Sequence, residues 1–470
     1  MRAIEIISPE FLILALIAVA VTWVLSPRYR SIWLLAVSCV FYATWGLGYL
    51  GVLALLVAVN FCLGHQIQDG KSRSLFITGL TLNGLSLLVL KALTGPYGFN
   101  LFAHLAGEER AIELTGILLP IGFSFYVLQA ISYLTDVYRG QITAEKNIIH
   151  FALYMAYFPK LLAGPIERAK SFLPQVRDPR VIGRGSIEQG LYLILLGLLR
   201  KIAIADRLSL LRPADIFSAP ENYSSVEQYI WLLVFAFALY NDFAGYTSIV
   251  RGLSSLLGVE LSPNFKQPMF SRSFSDFWTR WHISLSEWLR DYIFYPVRRW
   301  LMGNRWNRWL AMIIPPLATM LVSGTWHGAY FTMLTWGLLH GLYLTGEQFL
   351  GQYKLIKGWF AKLYPGLVFI GVTLAWVPFN APGLGTATKI LSGLVFPTGS
   401  EINAGILPDI LVPILISLWM DWQEHKHDDL AFPRRWKAPA QTWGTAIAIG
   451  FLILMSGTGA DLSGFVYQGF

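Results

Sequence analysis

The sequence predicts an all-α integral membrane protein with many helices, and three observations support this fold class. Hydrophobic residues make up 55% of the 470 residues and charged residues only 14%, whereas water-soluble domains carry about 25% charged residues. The apolar residues form long continuous runs without the alternation that is typical of β-strands. The run from Trp309 to Gly346 contains no Asp, Glu, Lys or Arg, and one bilayer crossing needs about 20 apolar residues. Since helices satisfy their own backbone hydrogen bonds in lipid, we expect a helical bundle.

The apolar runs predict about 11–12 transmembrane helices. In chain order the runs are 11–25, 32–46, 48–64, 74–90, 114–135, 188–205, 226–249, 309–326, 329–346, 366–380, 407–420 and 442–458. A further apolar run, 148–163, has basic residues on both sides and contains Pro159 near its end. A crossing there would place one basic loop outside, so we interpret the run as re-entrant or interfacial.

The distribution of Lys and Arg predicts the orientation, because cytoplasmic loops are enriched in both. Arg28 and Arg30 follow the first run, and Lys71 and Arg73 follow the third. We therefore expect both termini outside the cytoplasm and a single membrane domain over residues 1–470. Its expected parts are a re-entrant or cytoplasmic segment at 148–187, a cytoplasmic platform at 250–308 and catalytic helices at 309–346. The enrichment of Lys and Arg in cytoplasmic loops explains the net charge of +8. We therefore expect membrane lipid around the protein and no nucleic-acid partner.

Two pairs of residues inside apolar runs need an interpretation. Cys39 and Cys62 imply neither a disulfide framework nor a metal site, and we expect no metal and no tightly bound cofactor. Arg200 and Lys201 interrupt the run 188–205. We favour a helix that leaves the membrane early, with both side chains reaching an interface; the alternative is that the pair binds something in an internal cavity.

His327 is the first candidate functional residue. It lies in the run Ser323–Gly328 (SGTWHG), at the midpoint of the uncharged stretch, and an ionisable residue in such a place is a functional-site hypothesis. Either His327 lies in the turn between two crossings, or the helices are broken and it lies deeper. The plainer interpretation is a histidine that only hydrogen-bonds a neighbouring helix. His340 lacks the surrounding motif and is interpreted as structural.

The stretch 274–292 predicts an amphipathic helix that lies at the level of the lipid headgroups. At helical spacing one face carries Trp278, Trp281, Leu285, Trp288, Leu289 and Tyr292. An aromatic anchor explains most of this face but not His282, which precedes Ser286 by one turn. A histidine beside basic residues could receive an anionic thioester donor, since Arg and Lys bind phosphates well. The basic residues concerned are Lys266, Arg272, Arg280, Arg298 and Arg299.

Several motifs together resemble the membrane-bound O-acyltransferase (MBOAT) family, in particular its bacterial alginate O-acetyltransferase-like branch. The motifs are 119–125 (LPIGFSF), 129–133 (QAISY), 136–140 (DVYRG), 163–166 (AGPI), 276–286 (DFWTRWHISLS), 290–292 (RDY) and 323–328 (SGTWHG). The resemblance covers nearly the whole chain. It implies a helical membrane fold around a central funnel or tunnel that joins the two faces of the membrane.

The resemblance also implies an activity and a set of site residues. His327 matches the family's characteristic histidine and His282 the second histidine of the bacterial branch. The candidate substrate-binding residues are Trp326, Trp281, Ser286, Arg280, Arg290 and Asp291. The expected activity is transfer of acetyl from cytoplasmic acetyl-CoA, or of an acyl group from a carrier protein, to an extracytoplasmic polymer at the bacterial inner membrane. A periplasmic SGNH-type transferase is the expected partner.

The chemistry of these residues agrees with that activity, because a neutral imidazole can take the proton of an attacking hydroxyl near neutral pH. The ending Phe465–Phe470 (FVYQGF) resembles a motif of a partner peptide in the D-alanyl branch, so Tyr467 is either an acyl relay or an aromatic anchor. Two rivals remain: D-alanyl transfer from a carrier protein to teichoic acid, and a polysaccharide or lipid transporter. The transporter would need paired acidic residues or inverted repeats within membrane runs, and we recognise neither.

Overall fold

The protein is helical throughout the part of the chain for which we describe a structure. The structure is a computed structural model and describes residues 4–94, 120–303, 307–396, 399 and 404–456. Every regular element in these ranges is a helix, with no β-strand among them, which confirms the predicted all-α class. The chain forms two compact units. The first comprises Met1–Leu196 and Tyr246–Pro263, and the second comprises Gly197–Gly245 and Asn264–Gln468.

The first unit contains the N-terminal helices, which we number in chain order. They are α1 (Pro9–Val24), α2 (Pro27–Ala43), α3 (Leu47–Gly70), α4 (Arg73–Thr94), α5 (Phe123–Tyr138), α6 (Ile148–Ala156), α7 (Phe158–Leu161), α8 (Ala169–Arg177) and α9 (Arg184–Leu198). The centre of this unit is α5, which packs against α3 and α4 and buries nearly all of its residues. Local signals set the helix starts: the Ser8 hydroxyl accepts a hydrogen bond from the Phe11 N–H (3.1 Å), and a proline begins α1.

The apolar run 148–163 does not form one long helix. It is divided into α6 and the four-residue α7, with a break at Tyr157. The proline at position 159 lies in the first turn of α7, where its missing N–H costs nothing. Neither helix is long enough to cross a bilayer, which needs about 20 residues. The location of this segment at a membrane surface stays a prediction.

The second unit begins with a π-helical stretch, Leu199–Asp206, that continues α9. Its α-helices are α10 (Arg207–Leu211), α11 (Ser225–Leu256, which belongs to this unit up to Gly245), α12 (Phe274–Arg280), α13 (Ile283–Leu289), α14 (Tyr295–Gly303), α15 (Arg308–His327), α16 (Phe331–Gln352), α17 (Gly358–Asn380), α18 (Leu384–Val395), α19 (Leu407–His427) and α20 (Ala438–Ser456). A second π-helical stretch, Arg290–Phe294, connects α13 to α14.

Six of the described helices are long and apolar enough to cross a membrane by length and composition. They are Leu47–Gly70, Arg73–Lys91, Ser225–Leu256, Arg308–His327, Gly358–Asn380 and Ala438–Met455. This confirms an all-α polytopic membrane protein. The total of about 11–12 crossings and the orientation of the termini stay predictions.

Arg200 and Lys201 do not reach an interface, so the favoured interpretation of this pair was wrong. Their side chains are 2% and 0% exposed. The guanidinium of Arg200 contacts Asp421 (2.6 Å) and Glu424 (2.9 Å) of α19, and the ammonium of Lys201 contacts Asp206 (2.8 Å) and Asp242 (2.9 Å).

Hydropathy alone predicts the wrong location for Arg200 and Lys201, because it does not include the counter-ions that other parts of the chain supply. A charge that is paired can be buried. Buried acidic residues do occur within helices, and they are bound to Arg200 and Lys201 in an ionic network. The network is completed by hydrogen bonds from Tyr240 to Asp421 (2.7 Å) and from Gln267 to Glu424 (3.2 Å).

The helices α15 and α16 form a tight antiparallel hairpin across a three-residue turn, 328–330. Their backbones touch at two glycines. A Cβ atom on Gly324 would lie 2.4 Å from the Met333 carbonyl oxygen, and one on Gly337 would lie 2.3 Å from the Met320 carbonyl oxygen. Small residues are what allow such close approach of membrane helices.

We expect Gly337→Ala to destabilise the protein by about 1–3 kcal/mol, because the added methyl group must push α15 away from α16. Gly346→Ala is the matched control, since a Cβ atom at this position of the same helix has no neighbour within 4 Å. The control is expected to be neutral or slightly stabilising through helix propensity. Thermal unfolding in detergent measures both variants, and equal melting temperatures would contradict the packing argument.

Candidate active site

The stretch 274–292 is not one continuous helix, in contrast to the prediction. The helix α12 ends at Arg280 and α13 begins at Ile283, because His282 has left-handed backbone angles (φ +43°, ψ +53°). The tryptophans are not headgroup anchors either, since Trp281 and Trp288 are each only 4% exposed. This part of the chain is a broken helix that buries Trp281 and Trp288 inside the protein.

The break turns the His282 ring into the interior of the second unit. The ring packs against Phe243 (centroids 4.9 Å apart) and Trp326 (6.0 Å), and the residue is 1% exposed. Its Nδ1 atom lies 3.3 Å from Oδ1 of Asn264. Burial lowers the pKa of His282 to about 3, so the imidazole is neutral at physiological pH.

His327 is the last residue of α15, directly before the turn to α16. It is nevertheless buried, at 8% exposure, because aromatic rings surround it. The ring centroids of Trp326, Trp336 and Phe379 lie 4.7, 5.1 and 5.3 Å from that of His327. The structure thus brings together His282 and His327, with the Trp326 ring in contact with both.

The helices α15 and α16 also carry buried polar side chains that the sequence analysis did not select as site residues. Ser323 lies one turn before His327 on α15, and Thr332, Trp336 and His340 occupy successive turns of α16. All four are buried. Within the described ranges, the Ser323 and Thr332 hydroxyls, the Trp336 indole N–H and both His340 ring nitrogens have no hydrogen-bond partner. The spacing of four residues on each of the two helices was the signal that could have found them.

A cleft of about 300 Å³ lies near this centre, and its lining includes neither His282 nor His327. Its walls come from α12, α13, the π-helical stretch, α15 and α16, and include Trp278, Ser286, Glu287, Arg290, Thr319 and Met320. The Trp278 ring packs on Trp336 (5.9 Å), and Trp336 packs on His327 (5.1 Å). Two tryptophan rings therefore connect the cleft to His327. Of the predicted binding residues, Ser286 and Arg290 line the cleft.

The other predicted binding residues lie elsewhere. Trp281 stacks on Phe277 in the interior (5.6 Å), and Asp291 pairs with Arg290 (3.1 Å). Arg280 forms an i, i+4 ion pair with Asp276 at 2.7 Å. Partial burial favours a higher pKa for Asp276, but hydrogen bonds from the Arg272 N–H and from Arg280 outweigh it and lower the pKa. Tyr467 lies outside the described residues.

No metal centre is apparent in the part of the chain that the structure describes: no group of three or more His, Cys, Asp or Glu side chains there is arranged to hold an ion. The centre is instead two buried histidines in an aromatic surrounding, with a cleft beside them. Fold and site together define a multi-pass membrane protein with two buried histidines between its helices.

Comparison with known proteins identifies the family. The model of the membrane-bound O-acyltransferase family, MBOAT, matches residues 34–362. The probable alginate O-acetylase AlgI of Pseudomonas putida is 34% identical over 84% of this chain and 81% of its own length. The peptidoglycan O-acetyltransferase of Helicobacter pylori is 31% identical over 80% of this chain and 76% of its own length.

A more distant relative is the teichoic acid D-alanyltransferase of Bacillus subtilis, 24% identical over 55% of this chain and 67% of its own length. The chain belongs to the membrane-bound O-acyltransferase family and resembles its alginate O-acetylase branch. It is an O-acyltransferase.

Proposed function

We propose that this O-acyltransferase takes acetyl from cytoplasmic acetyl-CoA and delivers it across a bacterial inner membrane to an extracytoplasmic polysaccharide or cell-wall polymer. The relatives named for alginate and for peptidoglycan acetylation support the reaction class and the kind of acceptor. The observation that carries the proposal is the burial of His327 among aromatic rings, two of which connect it to an open cleft. A periplasmic SGNH-type transferase is the partner we expect to complete delivery.

In this reaction His327 is the general base. As the acceptor hydroxyl attacks the thioester carbonyl, the imidazole takes the hydroxyl proton and a C–O bond forms. The C–S bond then breaks, and the proton passes from the imidazolium to the departing thiolate. The buried indole N–H of Trp336 is a donor without a protein partner in the described ranges, and a preorganised donor of this kind stabilises the negative charge on the carbonyl oxygen.

The cleft is the proposed route for the donor. Its volume of about 300 Å³ is at the lower end of the range of small-molecule pockets, and it suits the narrow arm that carries a thioester. The side chain of Arg290 is 45% exposed at the cleft. A guanidinium in this position suits the phosphates of the nucleotide end.

We expect Arg290→Gln to raise the KM for acetyl-CoA roughly tenfold or more and to leave kcat nearly unchanged, because a charge-assisted hydrogen bond to a phosphate contributes to binding alone. Purified protein with labelled acetyl-CoA provides the measurement. Arg180→Gln is the matched control, since Arg180 is 72% exposed and lies outside the cleft. Equal KM values for the two variants would remove the cleft as the donor route.

D-alanyl transfer is the second candidate, favoured by the relatives named teichoic acid D-alanyltransferase. In that case the donor is an acylated carrier protein, and basic residues of the segment 264–303 would bind its acidic surface. Carrier affinity would then fall as salt rises, and labelled acetyl-CoA would not be consumed. Both observations in one preparation would replace acetyl by D-alanyl as the transferred group.

A further inference from the structure

Asn264 fixes the peptide turn that carries His282. Its backbone carbonyl accepts a hydrogen bond from the Ile283 N–H (2.9 Å). Its side-chain Oδ1 accepts one from the Ser284 N–H (3.1 Å) and one from the Ser284 hydroxyl (2.8 Å). The same Oδ1 lies 3.3 Å from Nδ1 of His282. Asn264 is 1% exposed, so water does not compete for these bonds.

These contacts determine which way the amide of Asn264 points. A backbone N–H can only donate, so the atom that faces the Ser284 N–H must be the oxygen of the amide and not its nitrogen. That oxygen is an acceptor, and consequently Nδ1 of His282 must be the donor. A neutral imidazole has one N–H, and with the proton on Nδ1 the other nitrogen, Nε2, carries the lone pair.

Backbone conformation and packing also fix the orientation of the His282 ring. The left-handed backbone of His282 separates α12 from α13, and the edge-to-face contact with Phe243 limits rotation of the imidazole. Hydrogen bonding and packing together select one tautomer and one ring orientation.

We propose that Asn264 is a positioning residue that holds His282 with its proton on Nδ1, so that Nε2 serves as a hydrogen-bond acceptor in the acyl-transfer site. The proposal rests on the proposed function, because it assigns to His282 a role beside the base His327. Asn264 itself does not touch the reacting groups. Residues that set the tautomer of a functional histidine in this way have large effects in other sites; loss of the correct tautomer in a serine protease lowers kcat by about 10⁴-fold.

The test is a double-mutant cycle of Asn264→Ala and His282→Asn, measured as kcat for acetyl transfer. Asn is chosen at position 282 because it tolerates a left-handed backbone better than most residues. We expect Asn264→Ala to lower kcat by roughly 10–100-fold, as loss of an orienting partner does at other sites, and to have little further effect when His282 is already replaced. Losses that multiply in the double variant, or no loss in Asn264→Ala, would overturn the proposal.

Two further variants separate positioning from general loss of structure. Asn264→Asp keeps the acceptor and adds a negative charge beside the Nδ1 proton, so the acid limb of the pH–rate profile is expected to move to higher pH by about 1–3 units. Ser284→Ala removes one bond to the same oxygen and leaves the contact with His282, and its profile should match that of the unmodified protein. An unchanged profile in Asn264→Asp, with the protein folded and active, would argue against the proposal.

A spectroscopic measurement keeps this inference distinct from the proposed function. With ¹⁵N-labelled histidine, the ring signals of His282 are assigned among the eight histidines by their loss in His282→Asn. We expect the Nδ1–H tautomer in the unmodified protein and a mixture in Asn264→Ala. If the protein transfers no acetyl but shows this tautomer, the function fails and the positioning holds. If the protein transfers acetyl but His282 carries its proton on Nε2, the proposed function holds and the positioning role of Asn264 fails.

Discussion

Replacing His327 by glutamine is expected to lower the rate of acetyl transfer by roughly 10²–10⁴-fold, the usual contribution of a general base. Glutamine has similar size and polarity, so the packing against Trp326, Trp336 and Phe379 should largely remain. What is lost is a nitrogen that can take a proton near neutral pH. The melting temperature should therefore change little while kcat falls, and the two are measured on the same preparation.

The matched control is His65→Gln, because His65 lies in the first unit, where it packs against Phe61. Its activity should equal that of the unmodified protein.

A variant Tyr467→Phe, assayed with labelled acetyl-CoA and mapped by mass spectrometry, tests whether the tyrosine carries the acyl group. Label on Tyr467 that requires His327 would support a relay, whereas His327-dependent transfer without it would indicate direct delivery. Full activity in His327→Gln would refute the role of this histidine.

The second large effect concerns stability: Arg200→Met is expected to destabilise the protein by about 3–5 kcal/mol, enough to deplete the folded form. Methionine fills much of the same volume, but it leaves the carboxylates of Asp421 and Glu424 buried without their cation, and an uncompensated buried charge is costly. Thermal unfolding in detergent and the yield of monodisperse protein measure the effect.

Removing the charges of Arg200, Asp421 and Glu424 together should restore much of the lost stability, because replacing a buried ion pair by neutral residues is often neutral or stabilising. The variant that tests this combines Arg200→Met with Asp421→Asn and Glu424→Gln. Arg207→Met provides the control, because its pair with Asp409 is longer (3.4 Å) and both side chains are at least 40% exposed; such pairs contribute about 0–1 kcal/mol. If Arg200→Met and Arg207→Met melt at the same temperature, the network has no structural role.

The helical class and the candidate histidine at position 327 were accessible from sequence for a physical reason. Membrane helices must be apolar over about 20 residues, and an ionisable residue in an uncharged stretch is therefore conspicuous. His282 was noticed because an aromatic anchor does not explain it, and the family resemblance then assigned it to the site.

What sequence could not provide are contacts between distant parts of the chain. The partners of Arg200 lie 221 and 224 positions away, and Asn264 lies 18 positions before His282, outside the predicted helix that contains this histidine. The break at His282 was also hidden, since helical periodicity continues through it from Trp278 to Tyr292. A left-handed residue is set by tertiary bonds to Asn264 and not by the local pattern of apolar residues.

Under the proposed function, the positive φ of His282 places two separate requirements on one position during evolution: the imidazole serves chemistry, and the backbone needs a residue that accepts the left-handed region. Asn and Asp meet the second requirement without meeting the first, whereas Val, Ile and Thr meet neither. A descendant of this gene that abandoned the second imidazole would therefore be expected to drift to Asn or Asp at this position. Such a protein would lose the imidazole at position 282 and keep the left-handed turn between α12 and α13.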